Sequence, residues 1–170
     1  MLMAHLHASL RTLLGFGLPL DQLVQRANRV FCESTMANHY ATLVAARFSP
    51  AGTLELCNAG HCPPLLVSRG TVTSIEATGV PVGLFCVKDY GVKALSMAPG
   101  DVLVLYTDGV TEARNMADEE YGENRLKQLV RNLAGEEPQV IAQTCVADVR
   151  AFRGAARRTD DVTVMAIRRS

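Results

Sequence analysis

Two hydrophobic periods divide the chain. Over residues 1–14, MLMAHLHASLRTLL, leucines recur at positions 2, 6, 10 and 13, the spacing of one helix face. Gly15 and Gly17 interrupt the pattern and Pro19 opens the next region. Residues 19–33, PLDQLVQRANRVFCE, resume the helical period, with Leu20, Leu23, Val24, Ala27, Val30 and Phe31 on one stripe. From residue 40 the pattern shortens to that of strands. YATLVAARF (40–48) and TLELCNAG (53–60) flank "SPAG" at 49–52, which predicts a hairpin. PPLLVSRG and TVTSIEA predict a second strand pair around Arg69-Gly70, and VKALSMAPGDVLVLYTD a third, turning at Pro99-Gly100. Helical spacing returns at about 123–134 and 138–152, and DVTVMAIRR closes the chain as a strand. Two helices, a run of antiparallel strands, two helices and a final strand predict a layered α+β fold, not alternating βαβ units.

Composition sharpens this picture. The chain has 170 residues, 48% of them hydrophobic, enough for a single domain over 1–170 with a sizeable core. Residues 1–33 are its paired helices and 36–168 its strands and outer helices. Seventeen basic residues balance seventeen acidic ones, which argues against nucleic acid or an anionic membrane surface as partner. Arg157, Arg158, Arg168 and Arg169 read as solvated arginines flanking the last strand. No apolar stretch approaches the roughly 18 residues a membrane span needs, and His5, His7 and Arg11 interrupt any signal-peptide layout. Five cysteines at irregular spacing, with no Cys-x-x-Cys, suggest neither a disulfide framework nor a zinc knuckle. Most of them lie in apolar settings, as small buried hydrophobes, and a reducing cytoplasm fits them.

The candidate chemistry is acidic. In VLVLYTDGVTEARN (102–115) an apolar run ends in Asp108 and Gly109. That is a buried strand delivering one carboxylate to a sheet edge, or an ordinary strand-to-turn junction. In RTDDVTVMAI (158–167), Asp160 and Asp161 precede the last strand. If the two strands are antiparallel neighbours, their carboxylates share one edge. Clustered carboxylates repel unless a cation compensates, and hard dications such as Mg²⁺ or Mn²⁺ take oxygen ligands of this kind. The simpler alternative is that Asp160 and Asp161 cap a turn. His61 in NAGHCPP is a general acid, a metal ligand or, as we favour, a structural loop residue. Its neighbour Cys62 suggests a thiolate pair with no third member. Thr107 and Thr111 are placed to bond backbone near Asp108. Glu112 is a substrate-side residue or a helix first-turn carboxylate.

Four blocks carry a resemblance. YTDGVTEARN with YGENRL, LELCNAGHCPPLL (54–66), GVPVGLF (79–85) and RTDDVTVMAI resemble, in order and spacing, the bacterial branch of the metal-dependent protein phosphatases. This is the sporulation stage II E and sigma-factor-regulator type, related to the type 2C phosphatases. The resemblance implies two packed antiparallel β-sheets flanked by helices and a binuclear Mn²⁺ or Mg²⁺ site. It implies Asp108 and Asp160 as catalytic metal ligands, with Asp161 a further metal-site candidate that orients the site. Gly109, Thr107 and Glu112 stand on the substrate side or behind the ligands. It also implies a phosphoserine or phosphothreonine substrate on an anti-anti-sigma-type regulator, and an upstream sensor or receiver domain. The family's earlier Asp-x-x-Asp and Asp-x-Ser-Gly motifs do not occur in these residues. The expectation is therefore the C-terminal portion of a phosphatase domain, weakly active or inactive alone and self-associating through helices 1–33, an exposed strand edge, or both. The competing expectation is a catalytically inactive binding module.

Overall fold

The computed structural model describes residues 2–35 and 39–170. Met1, at the head of the first predicted helix, residues 36–38, at the start of the predicted sandwich, and the Leu2 side chain lie outside the described residues. The chain forms α1 (Leu2–Leu14), α2 (Leu20–Ser34), β1 (Leu43–Phe48), β2 (Thr53–Ala59), β3 (Leu65–Ser68), β4 (Thr71–Ser74), β5 (Lys93–Ser96) and β6 (Val102–Tyr106). A single helical turn, α3 (Asp108–Thr111), follows, then α4 (Glu123–Asn132), α5 (Pro138–Arg153) and β7 (Val164–Arg168). Its strands make two antiparallel sheets, ordered β1-β2-β5 and β4-β3-β6-β7. The fold is α+β, as the element order predicts.

Two compact units are resolved, one of residues 1–61 and 76–96, the other of 62–75 and 97–170. In the first, β1 and β2 pair from Leu43 opposite Ala59 to Phe48 opposite Leu54. Gly52 turns their hairpin at φ +92°, where glycine avoids the Cβ penalty. Helix α2 buries Leu20, Leu23, Val24, Ala27 and Phe31 against this sheet. Val30, assigned to the buried stripe by its spacing, is instead 40% exposed, and Asn28 is fully buried. The amide of Asn28 explains the exchange. Its nitrogen donates to the Phe85 carbonyl at 2.8 Å, and its oxygen accepts from the Gly83 N–H at 2.8 Å. A buried polar side chain with its bonds made can take a core position.

Helix α1 bears on the self-association expectation. Leu6 is only 2% exposed and belongs to the core of this unit, with Leu10 and Leu13 packed against it. Among the described residues the stripe is buried at Leu6 and half-buried at Leu10 and Leu13, which weakens the driving force assigned to this helix and leaves the strand-edge route untouched.

In the second unit β6 is central, paired with β3 and β7. Its continuous apolar run is buried at Val102, Leu103, Val104 and Tyr106. Helices α4 and α5 cover this sheet, and Leu126, Val130, Ile141, Cys145 and Val149 complete its core. The third predicted strand pair does not form. β5 pairs with β2, while β6 sits in the other sheet. The link at 97–101 is nonetheless a turn. The Asp101 carboxylate accepts from the Ala98 N–H at 2.7 Å, and the Asp101 N–H donates to the Ala98 carbonyl at 3.0 Å. A turn signal fixes a change of direction, and strand pairing is decided by the sheets on either side of it.

The C-terminal arginines divide. Arg168 reaches the Glu136 carbonyl and pairs with Glu137 at 3.5 Å, and Arg169 donates to the Met97 carbonyl. These two tie β7 to its surroundings and are not the solvated flank expected of them. Arg157 and Arg158 remain exposed.

Candidate active site at the ends of β6 and β7

The antiparallel register sets the geometry. Tyr106 of β6 faces Val164 of β7, and the pairing continues one step beyond the strands. The Thr107 N–H donates to the Thr163 carbonyl at 3.1 Å. The Thr107 hydroxyl donates to the Asp161 carbonyl at 3.0 Å and accepts from the Thr163 N–H at 3.1 Å. Thr107 thus clips the chain entering β7 to the chain leaving β6. Asp108 and Asp160 emerge on the two sides of this clip, at one end of the sheet.

Gly109 closes the arrangement. It is buried, and a Cβ built on it would meet the Asp161 carbonyl oxygen at 2.4 Å, its carbon at 2.9 Å and the Asp160 Cβ at 3.4 Å. Only a residue without a side chain lets the two segments approach this closely.

Each carboxylate has its own setting. Asp108, first residue of α3, accepts from the Gly109 N–H at 2.9 Å. Asp160 accepts from the Asp161 N–H at 2.7 Å, the local turn bond an aspartate readily makes. Neither is ion-paired among the described residues. Asp161 is different, since its carboxylate pairs with Arg158 at 2.5 Å. Glu112 stands at the end of α3, not in its first turn, and its N–H donates to the Asp108 carbonyl at 2.8 Å. The Thr111 hydroxyl donates to the same carbonyl at 3.4 Å.

Among the described residues no three His, Cys, Asp or Glu side chains group as a metal cluster. The chain's own offering to a cation here is the Asp108–Asp160 pair. Carboxylate oxygens suit Mg²⁺ or Mn²⁺, and Mg²⁺ is commonly held by one or two carboxylates together with waters and substrate phosphate. The donor chemistry therefore fits a dication.

Cys62 shares this acidic surrounding. Burial pushes its thiol above the ordinary range, and the charge of Asp108 pushes in the same direction. A protonated thiol is a poor nucleophile, so the suggested thiolate has no support. His61 is a loop residue. Its N–H donates to the Asn58 side-chain oxygen at 2.8 Å, the Asn58 amide donates back to the His61 carbonyl at 3.1 Å, and its ring lies 3.0 Å from the Thr42 hydroxyl. Gly60 adopts φ +69°, and a Cβ there would strike the Pro81 ring at 2.6 Å. Asn58, Gly60 and His61 thus shape a turn. His5 and His7 are exposed on α1.

Beside Asp160 lies a cleft that the sequence did not announce. About 240 Å³ in volume, it is lined by Gly109, Asp160 and arginines of α5 and the segment after it, among them Arg150, Arg153 and Arg157. The arginines at 150 and 153 read as ordinary helix surface, and only the i, i+3 spacing to one another hinted at a shared face.

The two antiparallel sheets with their helices are the fold of a PP2C-type phosphatase domain. The chain belongs to the family described as stage II sporulation protein E, whose model matches residues 1–170. It is 31% identical to Protein IcfG of Synechocystis sp. over 123 residues, which are 70% of this chain and 19% of that protein. It is 30% identical over 101 residues to phosphoserine phosphatase RsbU of Bacillus subtilis, 58% of this chain and 30% of RsbU. The chain thus matches less than a third of the length of either curated relative. Among solved structures it resembles the RsbU and RsbW domains of Rv1364c from Mycobacterium tuberculosis. That likeness has a TM-score of 0.82 and 25% identity, and covers 99% of this chain and 47% of the other. Among the described residues no helix is long and apolar enough to cross a membrane.

Proposed function

We propose that this chain is the metal-ligating part of a protein serine/threonine phosphatase that acts on a phosphorylated regulatory protein of the anti-anti-sigma type. The observation that supports this reading is the close approach of the two chain segments that carry Asp108 and Asp160. Among the described residues these two carboxylates have no ion-pair partner, and their segments are clipped together by Thr107 and packed through Gly109. Membership of a family that includes a phosphoserine phosphatase supports the reaction class.

Asp108 and Asp160 would hold Mn²⁺ or Mg²⁺, two ions in the complete site. Bound there, such ions supply an activated water and neutralise charge on the transferring phosphoryl group. The chain's own residues fix the donors. The N–H groups of Gly109 and Asp161 each hold one carboxylate oxygen, which restricts rotation of both side chains before any ligand arrives. Asp161, held by Arg158, orients the segment and is not a direct ligand.

The test is Mn²⁺ titration of the chain, followed by electron paramagnetic resonance, together with phosphate release from a phosphoserine peptide. Asp108→Asn and Asp160→Asn should each weaken Mn²⁺ binding by at least the roughly 10- to 100-fold that losing an outer-sphere partner costs. Asp161→Asn should cost less. Retained Mn²⁺ binding in the double variant Asp108→Asn/Asp160→Asn would overturn the assignment. No Mn²⁺ binding by the unaltered chain would favour a catalytically inactive docking module.

A further inference from the structure

We propose that the arginine-lined cleft beside Asp160 docks an acidic segment of the phosphoprotein substrate, flanking its phosphorylated residue. This rests on the phosphatase reading above and adds to it a determinant of substrate choice.

The charge in the cleft is one-sided. Among the described residues Asp160 is the one carboxylate in its lining, against arginines at 114, 150, 153, 157 and 158. Two of these are satisfied locally. Arg114 pairs with Asp118 at 3.1 Å and with Glu120, and Arg158 pairs with Asp161. Arg150, Arg153 and Arg157 have no ion-pair partner among the described residues. Arg153 adds an independent sign. Its Nε is buried and makes no hydrogen bond there. A buried donor without an acceptor is unfavourable, more so on a charged group, and this one belongs to a side chain that lines the cleft.

The shape favours a peptide over a lone phosphate. Arg150 and Arg153 lie one turn apart on α5, on one face, and Arg157 follows beyond the helix end. Three guanidinium forks spread along that path exceed what one oxyanion can occupy. Guanidinium pairs with carboxylates in bidentate fashion, so a row of them matches a run of Asp and Glu. Val146, Val149 and Val162 also line the cleft and give apolar surface for the stems of those side chains. Because Gly109 and Asp160 belong to the same lining, a segment seated here would have its phosphorylated neighbour beside the Asp108–Asp160 edge.

The experiment uses the full chain and three fluorescent peptides of equal length, read by anisotropy at low and high salt. One carries phosphoserine flanked by Asp and Glu, one phosphoserine flanked by Asn and Gln, and one the acidic flank with unmodified serine. The acidic phosphopeptide should bind about tenfold more tightly than the neutral one, as three partly exposed ion pairs would produce. The unmodified acidic peptide should retain measurable, salt-sensitive binding. Arg150→Glu/Arg157→Glu alters two exposed side chains and should erase the preference, with circular dichroism confirming the fold. Arg153→Gln should reduce the preference without reversing it. Equal binding of the two phosphopeptides, or a preference that survives in Arg150→Glu/Arg157→Glu, would overturn the proposal. So would equal competition by an oligodeoxynucleotide of matched charge, which would show a non-specific basic patch. Mn²⁺ binding by the full chain is scored separately. Its absence alongside an intact acidic preference would defeat the metal-site reading and leave the docking site standing.

Discussion

Gly109→Ala is the sharpest probe of how the two acidic segments are held together. The added methyl would sit 2.4 Å from the Asp161 carbonyl oxygen and 2.9 Å from its carbon. A carbon–oxygen contact settles at about 3.3 Å or more, so the shortfall is about 0.9 Å. The obstacle is backbone, not the end of a flexible side chain, and Gly109 is not among the positive-φ glycines, so the effect is steric. Relief requires the 160–161 segment to move away from Asp108. The Thr107 bonds to Asp161 and Thr163, at 3.0 and 3.1 Å, resist that movement. Overpacking of this kind costs about 1–3 kcal/mol. For a chain of this size each kcal/mol lowers Tm by about 2–4 °C, so the expected drop is about 2–12 °C. Moving the segment that carries Asp160 should also weaken the Mn²⁺ binding proposed above. Thermal unfolding by circular dichroism and Mn²⁺ titration measure the two effects independently. A variant that melts within about 1 °C of the parent and binds Mn²⁺ equally well would refute the close packing on which the site rests.

Asn28→Ala should strand the Gly83 N–H and the Phe85 carbonyl at about 1–3 kcal/mol each, lowering the urea midpoint and speeding proteolysis within 83–87; an unchanged midpoint counts against the amide's role. Burial raises the Cys57 thiol and pushes the Cys145 thiol up to about 11; with DTNB, exposed Cys86 should react first and these two only on unfolding, so fast native-state modification of Cys145 would contradict its placement. Burial alone would raise Glu123, but hydrogen bonds from Lys127 and Ser74 and the Lys127 charge outweigh it and hold the carboxyl below its ordinary value. A depressed folded value means stability present above the unfolded value and lost as pH falls through the folded one; Glu123→Gln should therefore flatten the acid limb of a urea-midpoint profile slightly, and a profile identical to the parent would sink the assignment.

The fold was legible where local pattern and tertiary packing agree. The period of α2, the "SPAG" hairpin and the Arg69-Gly70 turn all rest on contacts close in sequence, and each appears within a residue or two of its predicted place. Sequence reasoning failed where a partner from elsewhere in the chain decided the outcome. Val30 has the right spacing for the core and the wrong neighbours, while Asn28 enters because residues 83–86 bring it acceptors and a donor. β5 and β6 flank a clear turn, yet pairing went to β2 for one and to β3 and β7 for the other. Arg168 and Arg169 looked like a solvated flank because nothing in their own vicinity shows the carbonyls of Glu136 and Met97.

The site follows the same logic, with a consequence for how substrate choice is encoded. Asp108 and Asp160 could be proposed as partners because each ends or begins a recognisable strand, and one antiparallel pairing is enough to unite them. Their spacing needs one further element, Gly109, which the Asp-Gly dipeptide already displays. The arginine cleft has no such signature. Its residues come from a helix surface and an irregular segment, and each reads as an ordinary solvated cation. What distinguishes them is a negative property visible only in three dimensions. Arg114 and Arg158 find carboxylates a few residues away, whereas Arg150, Arg153 and Arg157 find none among the described residues. Carboxylates that bind a dication must come together in one arrangement, so the sequence that builds them is constrained and readable. Cations that select a partner need only share a face and stay unpaired. Many sequences satisfy that condition, so the acidic pair proposed to hold the metal was open to sequence reasoning while the cleft proposed to select a partner was not.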